Sequence, residues 1–323
     1  MRYFVTGGAG FIGSHFVKQL LKKPSNQVSA VVVLDKLTYS GNYENLRTIE
    51  TDPRFQFVTA DICDSSHYSR HLEDCDLIVH FAAESHVDRS IGSATPFIST
   101  NVLGTQILLE EAFKAGVETF VHVSTDEVYG SIDVGSWTES EPLLPNSPYA
   151  ASKASSDLVA RSFHKTFGMD VRITRCSNNF GTHQFPEKLI PLFVTNLIDG
   201  LSVPLYGDGL NIRDWLHVED HCSAIDLVAR KGRAGEIYNI GGGTELTNLE
   251  LTHLVLNKFG MGDEMIRPVG DRLGHDRRYS VDCTKIRNEL GYEPRFPISE
   301  TLGQVIDWYR TNEAWWRPLK AIS

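Results

Sequence analysis

Short apolar runs alternate with amphipathic stretches through the first half of the chain. Residues 2–6 form a β-prone run, a helical pattern follows to Leu21, and Val31-Val32-Val33-Leu34-Asp35 is a second run. Residues 55–62 and 76–83 predict a third and a fourth strand, and Phe120-Val121-His122-Val123 predicts a fifth that ends in Ser124-Thr125. Near-continuous apolar runs of this length are what strands buried on both faces require. Helical patterns at 101–115 and 149–167 lie on either side of the fifth strand, and 171–175 reads as another strand. Strands alternating with helices predict an α/β fold built on a doubly wound parallel sheet.

The pattern changes from Ser177. Gly, Pro and aromatic residues become frequent, and loops at 178–181, 205–209 and 241–244 interrupt the alternation. A helix near 220–230 and a strand at 237–240 are expected to return to the sheet. The expected division is therefore interleaved, with 1–177 and about 216–241 forming the sheet domain, and about 178–215 and 242–323 forming a smaller C-terminal substrate-binding domain. The tail at 308–319 carries three of the five Trp and reads as one helix packing its aromatic rings on the body of the protein.

Composition narrows the function. A net charge of −10 argues against a general nucleic-acid surface, so any phosphate site must be a local cluster. The five Cys are scattered without a Cys-x-x-Cys, which indicates neither a disulfide framework nor a zinc site, and no metal is expected. No apolar run is long enough to cross a bilayer, and residues 2–6 enter a strand rather than a signal sequence. A cytoplasmic protein with no nucleic-acid or membrane partner is the expectation.

The turn after the first strand is Gly7-Gly8-Ala9-Gly10-Phe11-Ile12-Gly13. Gly7, Gly10 and Gly13, with Gly8 as the alternative first position, fit the dinucleotide fingerprint of a Rossmann sheet, with Phe11 and Ile12 opening the helix. Glycines there let the backbone approach a pyrophosphate at the helix N-terminus. The second strand ends in Asp35, placed to accept from ribose hydroxyls and repel a 2′-phosphate, which favours NAD; the neighbouring Lys36 pulls the other way. Asp61 reads as an adenine contact or, equally, as an ordinary capping Asp. Thr38 and Ile62 join the cofactor positions, and the small Ala82 and Ala83 let a flat cofactor reach the backbone.

Candidate chemistry gathers at the end of the fifth strand, in Ser124-Thr125-Asp126-Glu127. Ser147 and Pro148 are suited to cap and begin a helix, which places Tyr149 and Lys153 four apart on one face. A phenol with an ammonium beside it can act as a base at neutral pH. The plainer readings are a chance pair, a solvated Asp-Glu and a core His122.

Taken together, the Gly-rich turn, the Tyr149-x-x-x-Lys153 pair and the Ser124-Thr125 strand end resemble the extended short-chain dehydrogenase/reductase family acting on nucleotide sugars. Residues 81–88, Asp126-Glu127-Val128-Tyr129-Gly130, Pro186-Glu187-Lys188-Leu189-Ile190-Pro191 and Gly274-His275-Asp276-Arg277-Arg278-Tyr279 are similar to its 4,6-dehydratases. The resemblance spans nearly the whole chain; residues 22–30 and 261–270 match no motif, and Thr182-His183 departs from the small or aromatic residues expected there.

It implies NAD as a retained cofactor and dTDP-glucose as substrate. Tyr149 would take the 4-hydroxyl proton, Lys153 would lower the Tyr pKa and hold the nicotinamide ribose, and Thr125 would bond the forming carbonyl. Glu127 would remove the C5 proton and Asp126 would protonate the departing 6-hydroxyl, which demands different pKa values for the two acids. Arg213 and Arg272 suit the diphosphate. The family places Asn179, Lys188, Leu189, Asn248, His275 and Tyr279 around the nucleotide and Glu84 and Ser85 near the sugar, and Pro204 and Tyr206 are counted with the substrate positions. A homodimer through the helices at 101–115 and 149–167 is also implied.

Two alternatives stay open at this point. A nucleotide-sugar 4-epimerase shares the turn and the Tyr/Lys pair but needs no acid and base for elimination. A non-catalytic NAD-binding protein of the same fold would be expected to have lost the Tyr, the Lys or the acids.

Overall fold

In the computed structural model, which describes residues 1–321, the apolar runs pair as strands. In chain order these are β1 (Arg2–Thr6), β2 (Ala30–Asp35), β3 (Phe55–Thr59), β4 (Leu77–His80), β5 (Thr119–Thr125), β6 (Asp170–Cys176) and β7 (Asn178–Phe180). They continue with β8 (Val203–Tyr206), β9 (Ile212–His217), β10 (Ile237–Ile240), β11 (Glu245–Thr247) and β12 (Ile266–Val269). The main sheet has seven strands in the order β10-β6-β5-β4-β1-β2-β3, all parallel. The winding reverses between β1 and β4, and a sheet of this kind leaves a crevice beyond the carboxyl ends of the strands at that point.

Alternation along each strand builds a core on each face. Tyr3, Val5, Val31, Val33, Val79 and Val121 pack with Phe16, Val17 and Leu20 of the Phe11–Leu21 helix and with Ile225 and Val228 of the Val218–Lys231 helix. Phe4, Val32, Ile78 and Phe120 face the opposite way, onto Leu108 and Leu109 of the Thr105–Ala115 helix and onto Ala160 and Phe163 of the Pro148–Phe167 helix. Each large side chain so buried contributes about 1.5–3 kcal/mol. A separate apolar cluster (Phe180, Phe193, Trp215, Leu251, Leu302, Trp316 and their neighbours) lies under the three-stranded sheet β11-β9-β7 and the C-terminal helices.

Several elements differ from the sequence expectation. β3 stops at Thr59 and β4 at His80, so Asp61, Ala82 and Ala83 lie beyond their strands; Asp61 turns the chain by accepting from the Cys63 N–H (2.9 Å). The stretch expected as one helix at 101–115 begins with a π-helical segment, Ile98–Gly104, before Thr105–Ala115. The tail is two helices, Ile298–Thr311 and Glu313–Lys320, rather than one. Asn312 breaks it, its side-chain amide donating to the Trp308 carbonyl (2.8 Å). Trp316 then turns back to donate to the Tyr309 carbonyl (2.8 Å). The unassigned 261–270 contains β12, which pairs in parallel with β8, a partner remote in sequence. Among the described residues no helix is long and apolar enough to cross a membrane.

Candidate active site

The turn after β1 fits against the end of β4 only because it carries glycines. A Cβ on Gly7 (φ +68°) would lie 2.6 Å from the Ala82 nitrogen, and one on Gly13 would sit against the Gly7 carbonyl oxygen. Gly10 precedes the Phe11–Leu21 helix and offers no side-chain cap, so the first amides of that helix face the cleft without a side-chain acceptor. Asp35 is held by two backbone N–H groups, from Ala9 (2.9 Å) and Leu37 (2.8 Å). Burial raises its pKa, and these two bonds oppose the rise. Lys36 pairs with Asp61 at 2.6 Å. Burial raises the Asp61 carboxyl, the Lys36 bond lowers it, and the net shift is downward. A glycine cradle, an uncapped helix N-terminus, an acid closing β2 and small residues closing β4 fit a dinucleotide. All the sequence-predicted cofactor positions, from Gly7 to Ala83, line one cleft with Tyr149 and Lys153.

At the end of β5 the chain enters a short 3₁₀ turn, Asp126–Tyr129, with Thr125 as its cap accepting from the Glu127 N–H (3.3 Å). The Thr125 hydroxyl donates to Asp126 Oδ1 (3.2 Å), while Asp126 Oδ2 is buried without a partner. Burial, and then the neighbouring Glu127, drive the Asp126 pKa well above the usual carboxylate range. Burial also raises Glu127, but Arg272, Arg213 and Lys188 pull it back towards the charged form. Two adjacent acids thus occupy unequal fields, with the protonated form favoured more strongly at Asp126.

Opposite them, Ser147 caps the Pro148–Phe167 helix by accepting from the Ala150 N–H (3.1 Å), and Tyr149 and Lys153 face the same cleft. The expected electrostatic relation between the two is not what the structure displays. Lys153 donates to the Val123 carbonyl (2.8 Å) and is drawn down to about 8 by burial. Tyr149 is pushed well above 10, first by burial and then by Glu127, with the Thr125 hydroxyl pulling it down. The physical reason is that the inward ammonium finds a backbone acceptor under the helix, whereas the phenol faces two carboxyls.

The substrate positions fall into two groups. Glu84, Ser85, Asn179 and Lys188 line the cleft. Lys188 donates to the Ser85 carbonyl (2.7 Å), and Asn101 holds the Glu84 backbone by accepting from its N–H (2.8 Å) and donating to its carbonyl (3.0 Å). Leu189, Pro204, Tyr206, Arg213, Asn248, Arg272, His275 and Tyr279 are not part of that cleft's lining. Arg213 and Arg272 nevertheless act on Glu127 electrostatically, which places them on an adjoining wall. There Arg213 lies over the Tyr279 ring (4.2 Å), Tyr279 donates to Asp276 (2.7 Å), and His275 pairs with Asp271 (2.7 Å) edge-on to Tyr206. Arg272 Nε and Asn248 Oδ1 are buried without partners, polar atoms aimed where a ligand's polar groups could satisfy them. Leu189 opens the Leu189–Ile198 helix, and Pro204 and Tyr206 belong to β8.

Sequence reasoning missed a bridge across the cleft. Arg89 pairs with Glu187 (2.9 Å) and lies over the Tyr39 ring (4.0 Å), and Tyr39 meets Phe185 edge-on (5.5 Å). Phe185 and Glu187 line the cleft, as do Ser40 and Gly41 from the opposite side. Of these only Glu187 falls within a sequence motif, and its pairing with Arg89, 98 residues away, leaves no local signal.

Comparison with known proteins adds the following. The family model described as GDP-mannose 4,6 dehydratase matches residues 4–305. A dTDP-glucose 4,6-dehydratase of Streptomyces antibioticus is 59% identical, the alignment covering 99% of this chain and 96% of the relative. A crystal structure of DesIV, a dTDP-glucose 4,6-dehydratase from Streptomyces venezuelae with NAD and TYD bound, superposes with a TM-score of 0.96 at 61% identity, covering 99% of this chain and 100% of that one. A UDP-glucose 4-epimerase of Thermotoga maritima also superposes, with a TM-score of 0.89 at 31% identity over 97% of this chain and 100% of that one. The fold therefore serves both chemistries, and the residues at the end of β5 must tell them apart.

Proposed function

The chain belongs to the GDP-mannose 4,6 dehydratase family, and from that premise we propose that it is an NAD-dependent hydro-lyase that converts dTDP-glucose to dTDP-4-keto-6-deoxy-glucose. The observation that carries this reading is the unequal pair Asp126 and Glu127 beside Tyr149. Elimination of water needs, beyond the Tyr that serves oxidation at C4, one group that gives a proton and another that takes one, and epimerisation needs no such pair. NAD, when bound, accepts a hydride from the sugar and returns it, so the net reaction is redox-neutral.

The chain's residues manage the protons and the charge. Tyr149 takes the proton of the 4-hydroxyl as its phenolate, a form that the Thr125 hydroxyl favours against burial, and Thr125 donates to the substrate oxygen as it becomes a carbonyl. The carbonyl acidifies the C5 proton, which Glu127 removes; the three cations that favour its charged form suit it to that task. Asp126, whose pKa is driven well above the usual carboxylate range by burial and Glu127, delivers a proton to the leaving 6-hydroxyl. Lys153 adds positive charge beneath the site and holds the ribose of the cofactor, and the glycine cradle and Asp35 hold its other half. Arg213 and Arg272 receive the diphosphate, with their remaining donors directed by Asp276 and Asp88 respectively.

The same reading includes the division into a sheet domain (1–177 with about 216–241) and a substrate domain, which the separate apolar cluster under β11-β9-β7 supports. It also includes a homodimer, supported by the exposed apolar side chains Leu103, Phe113, Leu158 and Phe167 on adjacent helices. Cytoplasmic residence is supported by five free cysteines, four of them buried.

The test is to incubate the purified protein with dTDP-glucose, adding no cofactor, and to identify the product by NMR and mass spectrometry. The expected result is loss of one water to a 4-keto-6-deoxy sugar. An unchanged mass with inverted C4 would overturn the reading in favour of an epimerase.

A further inference from the structure

The two C-terminal helices reach both lips of the cofactor cleft, far in sequence from the residues that form it. On one side the indole N–H of Trp315 donates to Asn45 Oδ1 (2.8 Å), and the buried Asn45 amide donates to the Ala9 carbonyl (2.9 Å). That carbonyl also accepts from the Asn42 N–H (3.0 Å), and the Ala9 N–H is held by Asp35 (2.9 Å). Ala9 stands in the middle of the glycine turn, so the peptide planes on either side of it are set by three residues, Asn42, Asn45 and Asp35, and the last link of the Asn45 chain is Trp315. On the other side Tyr309 donates to the Gln184 carbonyl (2.7 Å), and Gln184 lines the cleft while its amide donates to the Asn179 carbonyl (2.9 Å).

Between these two attachments sits His183. Its φ of +62° is in the left-handed region, which a non-glycine residue occupies only when its surroundings impose it. The rings around it do so, with Trp308 at 4.4 Å, Trp315 at 5.5 Å and His15, from the helix that follows the glycine turn, at 5.6 Å. This is also where Thr182-His183 departed from the expected residues.

We propose that the Ile298–Thr311 and Glu313–Lys320 helices form a clasp that governs how long NAD stays bound, with Trp315 acting through Asn45 as a positioning residue for the Gly-rich turn. The proposal rests on the NAD-dependent reading given above. A redox-neutral enzyme that returns its hydride every cycle gains nothing from exchanging its cofactor, and a clasp joining both lips of the cleft slows that exchange without touching the sugar.

The experiment measures the NAD content of the purified protein and the rate at which NAD is released into an enzymatic trap, with the melting temperature recorded in parallel and no sugar present. Trp315→Phe keeps a ring in the cluster but removes the N–H. Release is expected to speed up about five-fold, the equivalent of roughly 1 kcal/mol for one neutral hydrogen bond. Trp308→Phe alters the same cluster without an Asn45 bond and is expected to release at the wild-type rate. Asn45→Ala is expected to release at least as fast as Trp315→Phe, and adding Trp315→Phe to it should accelerate release no further, because both changes break one chain. Wild-type release from Trp315→Phe, or equal acceleration by Trp308→Phe, would overturn the proposal. A wild-type protein that neither carries nor binds NAD would instead overturn the functional reading, and the clasp with it.

Discussion

Tyr149, Asp126 and Glu127 share one cleft, and each is held uncharged to a different degree by burial. What opposes burial separates the two carboxyls: three cations at Glu127, and chiefly Arg213 at Asp126. Glu127→Gln should therefore retain oxidation at C4 and accumulate bound reduced cofactor, while dehydratase turnover falls by about 10²–10⁴. Absorbance of the bound cofactor, read beside product formation, checks this, and full turnover in the variant would remove Glu127 from its role. Tyr149→Phe should lose the oxidation itself. Lys153, drawn by burial to about 8, gives a pH dependence whose sign can be worked out. Its folded pKa is below the unfolded value of about 10.4, so between pH 8 and 10 the unfolded chain binds more protons. The stability penalty of burying this ammonium is therefore relieved as pH rises through that window, while activity that needs the charge declines. A pH–activity profile whose alkaline limb moves in Lys153→Met would support the assignment; an unmoved limb would refute it.

At the scale of elements, the Pro148–Phe167 helix can present Tyr149 only if its own position on the sheet is fixed. A buried network does this: Arg175 of β6 donates to Asp157 (2.9 Å) and to the Tyr129 hydroxyl (2.8 Å), and His122 of β5 bonds Ser156 (3.1 Å). The core reading of His122 was the correct one. Burial raises the Asp157 carboxyl, but Arg175, His122 and Ser124 together more than offset it, and the pKa falls to about 2. The sign is that of a depressed acid: its contribution, of order 2 kcal/mol, is complete above pH 4 and is lost as pH falls towards 2. Asp157→Ala leaves Arg175 buried and uncompensated and should cost about 3–5 kcal/mol in denaturant unfolding at neutral pH. A loss below 1 kcal/mol would mean that water or another acceptor replaces the carboxylate.

At the scale of the molecule, a group of exposed apolar side chains lies on the helices where a partner is expected. Phe113 and Phe167 are each about half exposed and touch one another (centroids 5.1 Å), Leu158 lies on the Phe167 helix, and Leu103 on the π-helical segment that leads into the Phe113 helix. Burying these on a second copy is the simplest reason for leaving them outside. Light scattering should give about twice the 36.1 kDa of one chain, and Leu158→Asp should shift it towards the monomer. A monomeric wild type would remove the dimer from the functional reading.

What was legible in the sequence was whatever depends on neighbours along the chain. The glycine turn, the acid closing β2, the Ser147 cap and the Tyr149/Lys153 face are local in this sense, because backbone conformation, helix periodicity and strand alternation are set within a few residues. The family resemblance supplied the roles that no spacing encodes. Tertiary structure alone decided how unequal the fields at the two carboxyls are, since Arg213, Arg272 and Lys188 reach Glu127 from three separate segments. It also decided that Lys153 bonds Val123, that Arg89 and Glu187 bridge the cleft, that 261–270 contributes a strand, and that the tail breaks at Asn312 to set Trp315 against Asn45. Fields and long-range hydrogen bonds act through space, and only the folded chain fixes which groups are near.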